Sequence, residues 1–270
     1  MNISIEELVK MIGDGAKLAV PADYSGIAME ATRALIRKGV KDLHIVGVPT
    51  SGLQSELLIG AGCVSTFESS ALTLGEYNPA PRFSHAIKEK TIRLIDATRP
   101  AIHAGLQASQ KGIPFMPLRG IIGSDILQHH PEWQIMDNPF SEDKDPIVVI
   151  PAIKPDIALF HAPLADRDGN VWIGRRRELM HLAQASKTTL VTVEKMVDTN
   201  LLEDETMAAG VLSSLYVGGI AHCPKGSWPL DFWYGDKEDG DHLREYKEKA
   251  RTEEGFDEYL QEFVYESASS

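Results

Sequence analysis

At 270 residues, 43% of them hydrophobic, the chain has the length and apolar content for one large α/β domain with an appended tail. Its 27 basic and 39 acidic residues leave a net charge of −12, which argues against a basic face for the nucleic-acid backbone. Cys63 and Cys223 form neither a CxxC pair nor a metal-ligand spacing, and no apolar run reaches membrane-spanning length. These features predict buried thiols in a reducing cytoplasm, no metal, and no nucleic-acid or membrane partner.

In chain order, Ser4-Ile5-Glu6-Glu7 is a capping box that opens a short helix ending at Gly13. Lys17 to Val20 is the first strand. Ser25 is placed to cap a second helix, with Ile27, Ala31, Ala34 and Leu35 on one face and Gly39 at its end. A strand at 43–48, a helix near 52–60, a strand near 64–68, a helix near 80–89, a strand near 92–96 and a helix near 99–111 continue the alternation. After Phe140 the pattern is strand-rich, at 147–150, 157–162 and 170–173, followed by a helix near 176–186 and strands at 188–194 and near 214–220. Alternating strands and helices with apolar strand interiors predict a three-layer, open, mainly parallel sheet covered on both faces. Residues 1–235 make that domain. Residues 236–270 are a charged tail in which Leu243, Tyr246, Phe256, Tyr259, Leu260 and Phe263 recur at helical spacing, as in a docked pair of helices.

The stretch from Lys111 to Phe140 carries a short apolar run, Ile113-Pro114-Phe115-Met116-Pro117-Leu118, followed by Arg119-Gly120-Ile121-Ile122-Gly123-Ser124-Asp125. It reads as a buried strand feeding a Gly-rich loop, the arrangement that places a binding crevice in open α/β sheets. Asp168-Gly169 is a hairpin turn, since the EF-hand ligand spacing fails around it. His129-His130-x-Glu132 lacks the HExxH spacing of a zinc site. Arg175-Arg176-Arg177 reads first as a solvated helix start and second as a holder of phosphate.

The wording of several segments resembles the α subunit of the family I coenzyme A transferases. Besides Gly112 to Phe140, the similar segments are Asp14-Gly15-Ala16-Lys17, Asp42 to Gly47, Pro155 to Ala162, Asp168-Gly169-Asn170-Val171, Thr189 to Glu194 and Gly219 to Pro224. They span about residues 10 to 225 in the family's order. Two departures stand out. Pro21-Ala22-Asp23 occupies the place of the family's Gly-Gly-Phe, and Asp96-Ala97-Thr98-Arg99 lacks the acidic residue that related chains carry before the mid-chain helix.

The resemblance implies an α half that moves coenzyme A between carboxylic acids, with no permanently bound cofactor and an acyl-CoA thioester as substrate. In that family a β-subunit glutamate attacks the acyl-CoA and carries CoA as a thioester. A β-subunit partner in an α2β2 or higher heteromer is therefore expected, and the nucleophile is expected to be absent from this chain. Glu68 and Glu76 are the local carboxylates nearest the anticipated crevice, although hydrogen-bonded loop carboxylates are the simpler reading of both. The loop Ala22, Asp23, Ser25 and Gly26, with Gly47 and Gly52 of the next strand-to-helix loop, is expected to shape the oxyanion and acyl pocket. Asp23 in that loop either caps a helix or contacts the acyl group. Ser69, Tyr77, Arg82, Arg119, Gly120 and Gly123 are the expected substrate-binding positions, Arg82 reading equally as a structural residue paired with an acid. Two alternatives remain: a CoA-thioester C–C hydrolase of steroid-ring breakdown, which Thr98 in place of an acid disfavours, and a non-catalytic acyl-CoA or small-molecule binding module.

Overall fold

The computed structural model describes residues 2–235 and 237–266. Asp236, the first residue of the expected tail, and residues 267–270 at its end lie outside the described residues. In chain order the elements are α1 (Ile5–Lys10), β1 (Lys17–Pro21), α2 (Met29–Lys38), β2 (Leu43–Val48), α3 (Leu53–Gly60), β3 (Val64–Ser69), α4 (Pro81–Glu89), β4 (Arg93–Asp96) and α5 (Arg99–Gln110). There follow β5 (Phe115–Leu118), β6 (Gln134–Asp137), β7 (Pro146–Pro151), β8 (Ile157–Asp166), β9 (Val171–Trp172), α6 (Arg177–Ala185), β10 (Thr188–Val197), β11 (Val211–Leu212), β12 (Val217–His222), α7 (Gly240–Lys249) and α8 (Glu253–Leu260).

Seven strands pair in parallel in the order β12-β10-β8-β1-β2-β3-β4, and β9 with β11 adds an antiparallel extension at the far half of β8. The ten residues of β8 are all buried, as expected of a strand flanked on both sides and covered on both faces. Leu18, Val20, Leu43, Ile45 and Phe67 point to the layer holding α2, α3 and the C-terminal helices. Ala19, Val46 and Val48 point to the layer of α5 and α6. The chain order reverses between β1 and β8: β2, β3 and β4 lie to one side, β8, β10 and β12 to the other. Open α/β sheets put their crevice at the carboxyl ends beside such a reversal. Here that places it over the residues following β1.

Two expectations need correction. Phe115–Leu118 is not a buried strand of the main sheet: it is half-exposed, at the edge of a separate antiparallel sheet ordered β5-β7-β6 that packs on α5 through Ala101, Ala104, Val148 and Ile150. Pro114 and Pro117 lack N–H donors, so the segment suits a strand with a single neighbour. Ser25 does not cap α2. Gly26 turns the backbone to φ 100° after a short 3₁₀ turn, α2 begins at Met29, and the Ser25 hydroxyl donates to Glu178.

The capping box of α1 forms in both directions: the Ser4 hydroxyl accepts from the Glu7 amide at 3.1 Å, and the Glu7 carboxylate accepts from the Ser4 amide at 2.9 Å. At the other terminus, α7 and α8 bury Leu243, Tyr246, Phe256, Tyr259 and Leu260 in the same core as α2 and α3. Tyr246 and Tyr259 meet edge to face at 4.9 Å, a geometry that adds to their area burial.

Candidate functional site

At the carboxyl ends of β1, β2 and β3 the connecting loops enclose a crevice of about 560 Å³, lined among others by Ala22, Asp23, Thr50, Ser51, Glu76 and Tyr77. Arg99, the first residue of α5, and Asp231 and Glu238 from the segment after β12 complete its rim. The loops are knitted to one another. The Ser51 amide donates to Ala71 O and the Thr73 amide to Ser51 O, both at 3.0 Å. The buried Ser69 hydroxyl lies 3.1–3.3 Å from the carbonyl oxygens of Gly47, Pro49 and Ala71, so it holds the loop and is not turned to a ligand. A Cβ on Gly47 would meet that hydroxyl at 2.7 Å, which explains glycine there.

Asp23 crosses the crevice floor to α3. Its Oδ2 accepts the Leu53 amide at 3.1 Å, so it caps the helix after β2 and not the one that follows it in sequence. The approach is close: a Cβ on Gly52 would lie 2.1 Å from that carboxylate oxygen. The other oxygen, Oδ1, is buried and has no hydrogen-bond partner. Burial pushes the Asp23 pKa up to about 7, only partly offset by the Leu53 amide. A carboxyl in that state is about half protonated near neutral pH, and its protonated form does not repel an oxyanion.

The remaining expected positions separate into those at the crevice and those elsewhere. Glu76 is exposed at the crevice, and the Tyr77 hydroxyl donates to Glu238 at 2.7 Å, a contact that raises the phenol to about 12. Glu68 lies not at the crevice but on the sheet face toward α5, 2.9 Å from Lys17 Nζ and 2.8 Å from His44 Nε2, in a cavity of about 320 Å³ shared with Trp133. Burial alone would raise its pKa; His44 and Lys17 reverse that and hold it below the usual carboxylate range.

Arg82 also departs from the crevice. Its guanidinium is buried, donates to Thr252 O at 3.1 Å, pairs with Glu253 and stacks on Phe256 at 5.1 Å from the ring centre. Of its two readings the structural one describes its contacts. Arg119 pairs with Asp145 on the small sheet, and Gly120 and Gly123 are exposed in the loop beyond it, away from the residues that line the crevice. Their displacement follows from the edge position of β5.

Arg99 is the basic residue that does line the crevice. In the sequence its segment stands out only for the missing acid; Thr98, whose hydroxyl caps the Ala101 amide, starts α5 just before it. Asp231 and Glu238 carry no sequence signal; they lie over 200 residues from the β1 loop, and no local pattern marks their return to it. Burial raises Cys63 to about 11 and Cys223 to about 12, so neither is a thiolate at neutral pH. Among the described residues no group of His, Cys, Asp or Glu is arranged to hold a metal, and no helix is long and apolar enough to cross a membrane.

The sequence matches the coenzyme A transferase family model over residues 2–213, and the chain belongs to that family. It is 29% identical over 273 residues to the A-type subunit of 3-oxoadipate CoA-transferase from Pseudomonas knackmussii, covering 96% of this chain and 91% of that protein. An uncharacterized protein of Archaeoglobus fulgidus is 31% identical over 98% of this chain, which spans 59% of that relative's length. The cholesterol ring-cleaving hydrolase IpdA subunit of Rhodococcus jostii is 26% identical over 97% of the chain and 91% of the relative. In three dimensions the chain superposes on glutaconate coenzyme A-transferase from Acidaminococcus fermentans with a TM-score of 0.89 at 22% identity, covering 98% of this chain and 88% of the other. The decarboxylase AibA/AibB gives 0.84 at 27% identity over 97% and 98% of the two chains.

Proposed function

We propose that the chain is the α subunit of a heteromeric cytoplasmic CoA transferase, which moves CoA from an acyl-CoA to a free carboxylate through a glutamyl thioester on a β subunit. The observation that carries this reading is the crevice at the carboxyl ends of β1 to β3. Its acids are engaged or peripheral: Asp23 caps Leu53, Glu238 accepts from Tyr77, and Glu76 and Asp231 are exposed. A nucleophile supplied from a partner completes such a site. Two halves of this kind bury an interface typically above ~2,000 Å² in total.

In the reaction the partner's carboxylate oxygen attacks the thioester carbonyl, the C–S bond breaks, and a mixed anhydride forms as CoA thiolate departs. The thiolate then attacks the glutamyl carbonyl and expels the donor carboxylate, leaving glutamyl-CoA. The acceptor carboxylate runs the same steps in reverse. This chain's part is electrostatic and positional. The 21–26 and 47–52 loops shape the oxyanion and acyl pocket, the protonated form of Asp23 adds no repulsion, and Arg99 receives a substrate carboxylate. The hydrolase alternative lacks support at its distinguishing position, where Thr98 is the cap of α5.

Co-expressed with a β subunit, the chain is expected to transfer CoA from an acyl-CoA to a carboxylic acid, and Arg99→Ala to raise KM for the carboxylate about 10- to 100-fold, the loss of one charge-assisted contact. Initial rates over a panel of acids check both. An unchanged KM in the variant would remove Arg99 from the substrate site, and no transfer with any pair would remove the proposal.

A further inference from the structure

A second surface feature stands on the far half of the sheet. Trp172 on β9, Trp233, Gly174, Arg175, Arg177 and Thr206 line a groove of about 460 Å³. The two indoles sit 5.6 Å apart at 55°, and the Arg176 guanidinium covers Trp233 at 5.3 Å, fixing that wall. Glycine backbone forms the base. Gly174 has φ 56° and its Cβ would meet Trp233 at 3.1 Å, while a Cβ on Gly210 would lie 2.6 Å from Gly174 O. Arg175 and Arg177 are exposed, and neither has a carboxylate partner among the described residues. Asp204 in the bordering loop is already taken by the amide and hydroxyl of Thr206, at 2.8 and 2.6 Å. The Trp233 indole N–H is buried without an acceptor. On a chain of net charge −12, two arginines without a carboxylate partner beside a tilted pair of indoles form a local site for a phosphorylated aromatic group.

The groove joins the crevice through two short segments. Glu178, next to Arg177, accepts the Ser25 hydroxyl of the β1 loop at 2.5 Å. Asp231, two residues before Trp233, lines the crevice.

We propose that this groove receives the nucleotide end of coenzyme A, with the adenine against the indoles and the phosphates on Arg175 and Arg177. The inference rests on the CoA-transferase reading for the identity of the ligand. It takes up the second reading of 175–177, as a holder of phosphate.

The test uses the full chain with adenosine 3′,5′-bisphosphate as probe, read by tryptophan quenching and calorimetry. The wild type is expected to bind saturably, more weakly at high salt. Arg175→Ala/Arg177→Ala is expected to lose at least about tenfold in affinity, since two charge-assisted contacts go, with an unchanged far-UV spectrum because both side chains are exposed. Binding unaffected by the double substitution, or no binding by the wild type, overturns the proposal. The two readings fail separately. Transfer in the assembled enzyme with an unchanged KM for acyl-CoA in the double variant sinks the groove and leaves the transferase reading standing. Specific nucleotide binding in a protein that transfers no CoA does the reverse.

Discussion

Arg82→Ala is expected to destabilise the protein by about 2–4 kcal/mol and lower its melting temperature by about 5–10 °C, with KM values unchanged where both proteins are folded. The side chain is 4% exposed. Its loss leaves Ala250 O and Thr252 O without their donor, removes the cation over Phe256, and takes the nearest positive charge from the buried Glu56. Each unmet buried group costs on the order of 1–3 kcal/mol. The contacts join α4 to the turn between α7 and α8, so the effect is concentrated where the C-terminal helices dock. Thermal unfolding together with KM for donor and acceptor decides the matter: a raised KM with an unshifted melting temperature would return Arg82 to the substrate site.

Asp23→Asn is expected to raise stability by only about 1 kcal/mol at pH 5 and by about 2 kcal/mol at pH 8. The sign follows from the direction of the shift. Burial holds the folded carboxyl near 7, well above its ordinary value of 3.8, so the folded state retains a proton that the unfolded chain has released. Stability therefore declines as pH rises from about 4 through 7. The full shift corresponds to roughly 4 kcal/mol at 1.36 kcal/mol per pH unit, halved here because the residue retains partial solvent contact. Asparagine keeps an oxygen for the Leu53 amide and carries no charge at any pH. The titratable and charged groups around the crevice, Glu76, Tyr77, Arg99, Asp231 and Glu238, are common to both proteins and cancel in the comparison. Urea midpoints at the two pH values read the difference. Parallel pH dependence in the two proteins would mean that Asp23 is an ordinary ionised carboxylate.

Much of the fold was legible because the sequence repeats one physical unit. Leu18 to Val20, Ile45 to Val48 and Ile157 to Phe160 are apolar on both faces, and the helices between them carry one apolar stripe, which dictates a covered parallel sheet. The C-terminal helices were legible in the spacing of Leu243, Tyr246, Phe256, Tyr259 and Leu260. The small sheet was not. All four residues of Gln134–Asp137 are exposed, so no burial period marks the strand, and Phe115–Leu118 carries the same apolar letters as a buried strand while lying at an edge.

At the crevice, the loops at 21–26 and 47–52 were readable as neighbours because both end adjacent parallel strands. Side-chain direction was not readable. Glu68 turns to Lys17 and His44 because its strand partner Val46 faces α5, and Asp23 reaches a helix 30 residues away. Such choices are made by packing across the sheet, which spacing along the chain does not encode.

The claim that the nucleophile belongs to a partner is tested most directly by trapping the covalent intermediate. The purified chain, and separately its co-expressed complex with a β subunit, is incubated with acyl-CoA, treated with borohydride or hydroxylamine, digested, and mapped by mass spectrometry. Modification confined to a glutamate of the β chain, and none in the isolated chain, is the predicted result. Modification of this chain at Glu68 or Glu76 without any partner would contradict it.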